Sequence, residues 1–188
     1  MTHYRDDECF SFDDYLRVEI MSTATTPTSL TPEEFLLLPD SDRFELVNGR
    51  LVEKQMGSES QYLVGQIYMM MRNYLLQSKL GWVFVENGFL CFPDDTQKVR
   101  KPDVAFVSFD RMPPSRAPKG FATVPPDLAV EVLSPNDLAS EVLVKVDEYL
   151  RANVRLVWVV DPESQTVLVN RLDGSAQWLR LTDELDGE

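Results

Sequence analysis

Three residues break the pattern of the segment that carries them, and all three are types that bind metals or stabilise charge. Asp103 falls within residues 99–107, an alternating run that places Val99, Lys101, Asp103, Ala105 and Val107 on one face of a strand. Aspartate is disfavoured in strands, and a carboxylate buried there without a partner is costly. Glu131 falls within residues 127–133 and shares a face with Asp127, Ala129 and Leu133. Lys145 interrupts the apolar stripe Leu138, Val142, Lys145, Tyr149 on a helix. Two acids on one face of neighbouring strands supply the ligand set that Mg²⁺ or Mn²⁺ takes, one or two carboxylates completed by water and phosphate oxygens. A lysine aimed at them would orient an attacking water or stabilise developing negative charge. That combination suits metal-dependent hydrolysis of a phosphodiester. Each residue also has a plainer reading. Asp103 beside Pro102 suits an edge strand with a solvated acid, Glu131 suits a salt bridge to a lysine, and Lys145 suits a snorkelling stem or a pair with Glu141.

The elements that must position these residues can be read along the chain. Residues 1–29 form an acidic and Ser/Thr-rich leader, expected to be flexible, and one domain occupies 30–188. Thr31, Pro32 and Glu34 make a helix start. Residues 43–47 and 50–54 flank Asn48-Gly49, a two-residue hairpin signal. A helix is expected over 58–79, capped by Ser58 with Gln61 and stopped by Gly81. A second Asn-Gly pair, Asn87-Gly88, predicts a hairpin between 82–86 and 89–92. Strands follow at 99–107 and 127–133. A helix capped by Asn136 or Asp137 runs to about Ala152. A buried strand at 155–160 and a ribbon of 166–171 with 176–181 complete the set. Strand, helix and strand over 127–160 make a βαβ unit, expected right-handed. Together these elements predict a mixed sheet with helices packed on it.

Composition narrows the chemistry. The single histidine, His3, lies in the leader, so histidine-based zinc sites and Ser-His-Asp triads are excluded in practice. The two isolated cysteines, Cys9 and Cys91, fit free thiols in a reducing cytoplasm. No run of 18 apolar residues is available to cross a membrane. The net charge of −13 opposes phosphate binding, although most of it lies in the two terminal segments. Residues 94–119 carry six bases, Lys98, Arg100, Lys101, Arg111, Arg116 and Lys119, against four acids. That segment suits either phosphate contact or a solvated surface.

The motifs Arg43-Phe44-Glu45-Leu46-Val47-Asn48-Gly49-Arg50-Leu51, Arg100-Lys101-Pro102-Asp103-Val104 and Pro126-Asp127-Leu128-Ala129-Val130-Glu131-Val132-Leu133-Ser134-Pro135 resemble the Uma-two (Uma2) family of restriction-endonuclease-like proteins. The run from Lys145 to Tyr149 and the block ending at Pro162 resemble it too, and the likeness covers about Leu30 to Glu188. It implies an α/β fold of the PD-(D/E)xK superfamily, with a mixed central β-sheet flanked by helices, added β-hairpins and a divalent metal, Mg²⁺ or Mn²⁺. On that resemblance Asp103 is the acid of the "PD" motif, Glu131 the "(D/E)" acid, and both are metal ligands. The lysine slot two residues after Glu131 holds Leu133, so Lys145 is its relocated counterpart. Glu45 matches a further acid of the first hairpin and joins the expected catalytic set. The implied activity is cleavage of DNA by an endonuclease, with a catalytically inactive DNA- or protein-binding module as the alternative. A homodimer is the expected assembly for cutting a duplex. Two departures stand out. Family members resemble one another in a histidine before the first long helix, where this chain has Glu59-Ser60-Gln61. The pattern also continues beyond Glu188 with a short apolar segment, so a truncated C-terminus and an unpaired last strand are expected.

Overall fold

The computed structural model describes residues 29–187. The leader, with His3 and Cys9, lies outside the described residues except for Ser29. The described part opens with α1 (Pro32–Leu37), whose capping box forms as the residue types predict: the Thr31 hydroxyl accepts from Glu34 N, and the Glu34 carboxylate accepts from Thr31 N. Strands β1 (Phe44–Val47) and β2 (Arg50–Glu53) pair across a two-residue turn. Asn48 and Gly49 both take positive φ, 51° and 69°, as that turn demands.

A six-stranded sheet forms the body. Its strands are β3 (Gly81–Val85), β4 (Val104–Ser108), β5 (Leu128–Val132), β6 (Leu156–Asp161), β7 (Thr166–Arg171) and β8 (Ala176–Arg180), and spatial order follows chain order. Only β5 and β6 run parallel, joined through α3 (Ala139–Arg151); every other neighbouring pair is antiparallel. The expected βαβ unit is therefore present in a mixed sheet. The last strand is not unpaired, since β8 pairs along its length with β7.

Strand alternation sends the two faces to different helices. Val104, Leu128, Val130, Val132, Leu156 and Trp158 face α2 (Ser58–Ser78), which meets them with Val64, Ile67 and Met71. Ala105, Val107, Ala129, Val157 and Val159 face α3, which contributes Val146 and Tyr149. Glu131 belongs by parity to the α3 face. This three-layer arrangement delivers α3 above the ends of β4 and β5, where the acids lie.

Five local expectations are corrected. Residues 99–107 are not one strand. Val99 and Arg100 bridge to Leu46 and Phe89, and β4 begins only at Val104. The break falls at Pro102, which has no N–H for a ladder, so Asp103 stands at the entrance of β4 rather than in its middle. The Asn87-Gly88 hairpin is absent, because β3 pairs with β4 and Phe89 bridges to Arg100 and Ala122. Gly88 meets a different demand: a Cβ there would lie 2.4 Å from the Phe121 ring. The helix caps also move by one position or more. Gly57 caps α2 with no side-chain bond, and Lys79, at φ 51°, ends it in place of Gly81. Leu138 occupies the N-cap of α3, while the Asp137 carboxylate accepts from Ser134 N.

Candidate functional site

Glu45, Asp103, Glu131 and Lys145 arrive from four elements at one cleft of about 80 Å³, which Lys54 also lines. A single water needs only about 10–15 Å³ by such a measure, so there is room for several waters or for phosphate oxygens. The three acids are nearly sealed, at 1%, 2% and 5% exposure, while the Lys145 side chain keeps 20%. Carboxylates this deep persist only with partners, and each has them.

Asp103 extends the sheet chemically. Leu133 N donates to Val160 O on β6, so alternation turns Val132 N toward β4. The β4 ladder has already stopped at Val104, and the Asp103 carboxylate takes its place: Oδ2 accepts from Val132 N at 2.6 Å. Its other oxygen, Oδ1, is buried and meets no donor in hydrogen-bonding geometry. The Lys54 ammonium lies 2.5 Å from it as an ion pair and donates to Lys101 O at 2.6 Å.

Glu131 is held from α3. Tyr149 OH donates to Oε1 at 2.7 Å, and Lys145 Nζ donates to Oε2 at 3.1 Å. Lys145 also stands 3.6 Å from Glu45 Oε2. It therefore neither snorkels into bulk solvent nor pairs with Glu141. Glu45 accepts from Lys101 N and from Arg100, both at 2.8 Å. Arg100 is shared with Glu148, at 2.7 Å, and Glu148 is bound in turn by Lys98 at 2.6 Å.

These contacts set the protonation states. Burial pushes the Glu131 carboxyl above its ordinary value, a push that Lys145 only partly offsets and Asp103 reinforces. Burial pushes Glu45 the same way, but Lys145, Arg100, Lys54 and the Lys101 N–H outweigh it and leave Glu45 below its ordinary value. For Lys145, burial disfavours the ammonium, yet Glu131 and Glu45 reverse that and raise it. Lys54 is raised by the same competition, with Asp103, Glu131 and Glu45 overcoming desolvation. Burial and the two glutamates lift Tyr149 well above its usual range, so its hydroxyl stays a donor.

Lys54, Arg100, Glu148 and Tyr149 are site residues that sequence reasoning did not select. Tyr149 carried a signal, since it lies on the Lys145 stripe. Lys54 carried none: it follows a strand whose four residues are all exposed, and its partner Lys101 is 47 residues away. The basic segment is corrected as well. Lys98, Arg100 and Lys101 are buried, so these three are neither a solvated surface nor a phosphate-facing patch, whereas Arg116 and Lys119 are exposed. Arg100 pairs with Glu45 and Glu148, Lys98 pairs with Glu148, and the Lys101 ammonium donates to Ser41 O.

The donor set can be tested against a divalent ion. Among the described residues, no three His, Cys, Asp or Glu side chains gather closely enough to hold an ion unaided. A carboxylate pair completed by water and substrate oxygens is nonetheless a normal Mg²⁺ arrangement. Asp103 Oδ1, lacking a hydrogen-bond donor and already drawing a cation, fits such a ligand.

The family model for Uma2, described as a putative restriction endonuclease, matches residues 32–188. The chain belongs to the Uma2 family. A crystal structure described as a putative nuclease belonging to DUF820, from Anabaena variabilis, superposes on this Uma2 chain with a TM-score of 0.69. The two are 23% identical, and the match covers 84% of this chain and 88% of that one. The restriction-endonuclease-like fold expected from the sequence is thus the fold observed. No curated protein gives a match. Among the described residues, no helix is long and apolar enough to cross a membrane.

Proposed function

We propose that this chain is a metal-dependent nuclease that hydrolyses DNA phosphodiester bonds, with Asp103 and Glu131 as ligands of Mg²⁺ or Mn²⁺. The observation that carries the reading is the meeting of two buried carboxylates and the Lys145 ammonium in one cleft. The description of the Uma2 family supports nuclease chemistry. A divalent ion held there would supply charge to polarise the scissile phosphate and to acidify a water. Lys145 keeps enough exposure to donate to a phosphate oxygen while Glu131 and Glu45 fix its position. Tyr149 holds the Glu131 carboxylate in one orientation through Oε1. Glu45 acts through Lys145 and Arg100, and is a positioning residue rather than a group that touches substrate. Cutting both strands of a duplex calls for two clefts, and a homodimer joined at an open sheet edge is the assembly we propose for it.

A second reading is a nuclease fold that binds DNA or protein without cutting. The Lys54–Asp103 contact favours it, because an ammonium already satisfies the acid that a metal would need. Cleavage of plasmid and single-stranded DNA with Mg²⁺ or Mn²⁺ separates the two. Loss of cleavage in both Asp103→Ala and Glu131→Ala is expected on the first reading. Wild-type protein that cuts neither DNA nor RNA with either ion would leave the second.

A further inference from the structure

Lys54 lines the cleft without a part in the proposed chemistry, and it sits at its most sensitive point. Its Nζ is 2.5 Å from Asp103 Oδ1, the buried oxygen with no hydrogen-bond donor in bonding geometry. A second bond, to Lys101 O at 2.6 Å, fixes it there, and its side chain is only 10% exposed. Glu131 and Glu45 also attract it, while Lys145 opposes them. Its backbone is anchored independently, Lys54 N donating to Arg43 O at 2.8 Å across the open end of the β1–β2 hairpin. Gln55 and Met56, which follow Lys54, line the same cleft on its way to α2, and Gln55 is exposed. Glu53 also lines the cleft, and it is already paired with Arg43 at 2.7 Å.

We infer that Lys54 is a built-in cation that holds the metal position of Asp103 and must be displaced before a divalent ion can bind. The inference rests on the metal reading of Asp103 and Glu131. Two cations cannot both lie against Asp103 Oδ1 without strong mutual repulsion in a cleft this poorly screened. The contact therefore keeps the acids neutralised and the fold intact without metal, and it lowers metal affinity by the cost of moving the ammonium out.

Calorimetric titration of Mn²⁺ into the full chain tests this, using wild type, Lys54→Met and Lys54→Arg. The methionine variant should bind about tenfold more tightly or better, the scale of one close like-charge contact removed. Lys54→Arg keeps the charge and should bind as weakly as wild type. Thermal unfolding gives a second readout, with Mn²⁺ raising the Tm of Lys54→Met more than that of wild type. Should Lys54→Met fail to fold alone, refolding on Mn²⁺ but not on Na⁺, followed by circular dichroism, supports the inference; failure to refold on Mn²⁺ overturns it. Equal affinity in wild type and Lys54→Met overturns the role of Lys54 and leaves the metal site standing. No binding to either folded protein overturns both.

Discussion

Removing one oxygen atom tests the charge state of the buried acid at the centre of the cleft. Tyr149→Phe deletes the hydroxyl that donates to Glu131 Oε1 at 2.7 Å and keeps the ring, which packs beside Phe92 at a centroid distance of 6.0 Å. No large cavity opens, so the cost is that of the hydrogen bond. A bond to a charged group contributes about 1.5–3 kcal/mol, and losing one at a buried acceptor falls in that range. Taking about 2 kcal/mol, the Tm should fall by about 4–8 °C for a chain of this length. The loss must also depend on pH. Glu131 is raised above its ordinary 4.5 in the folded state, so this group favours folding below 4.5 and that advantage is lost as pH rises through the folded value. Phenylalanine raises the folded value further, so the penalty grows toward neutral pH and shrinks in acid. Urea unfolding of both proteins at several pH values measures it. A penalty below about 0.5 kcal/mol at neutral pH, or one independent of pH, refutes an ionised Glu131 held by Tyr149.

Glu45→Gln should cost about 3 kcal/mol or more, because it removes one partner of the buried pair with Arg100 and weakens the hold on Lys145. Glu45 lies below its ordinary 4.5, so its contribution is present above 4.5 and disappears only as pH falls through the lowered value; urea unfolding that shows the Glu45 and Tyr149 effects vanishing at the same pH contradicts the assignment. Burial pushes the Cys91 thiol up to about 12, and it should resist iodoacetamide at pH 8. Peptide mapping that finds Cys91 alkylated as fast as a free thiol refutes this.

The sequence carried the layers and the periodic positions of Glu131 and Lys145 well, and local connections less well. Alternation along 127–133 placed Glu131 on the helix-facing side, and the stripe on α3 carried Lys145 and Tyr149 to it. Both signals are local and periodic, so one chain suffices to read them. The Asn-Gly rule succeeded at Asn48-Gly49, where both residues need positive φ, and failed at Asn87-Gly88. There the glycine answers the Phe121 ring, a long-range constraint that no dipeptide reveals. The alternating run 99–107 hid a break because alternation persists across Pro102 while the hydrogen-bonding partners change from the hairpin to the sheet. Lys54, Lys98 and Arg100 illustrate a harder limit. Basic residues look alike in sequence whether they meet solvent or a buried acid, and only the fold brings their partners within reach.

Those buried bases bear on the contradiction between an acidic protein and an anionic substrate. The ion-paired cluster sets Glu45, Asp103, Glu131 and Glu148 against Lys54, Lys98, Arg100 and Lys145, four charges of each sign. The cleft interior is therefore close to neutral without metal, while Glu53, Asp137 and Glu141 at its lining add negative charge toward solvent. Phosphate has little reason to enter such a cleft. On the proposed metal reading, a divalent ion adds two positive charges where Lys54 withdraws one, and the interior becomes attractive to a phosphodiester. Long-range attraction plays little part in this arrangement, since exposed charges are screened beyond about 8 Å at physiological salt. Substrate capture would then depend on the ion rather than on a basic surface, and an overall charge of −13 is compatible with a nuclease whose positive charge is supplied at the site alone.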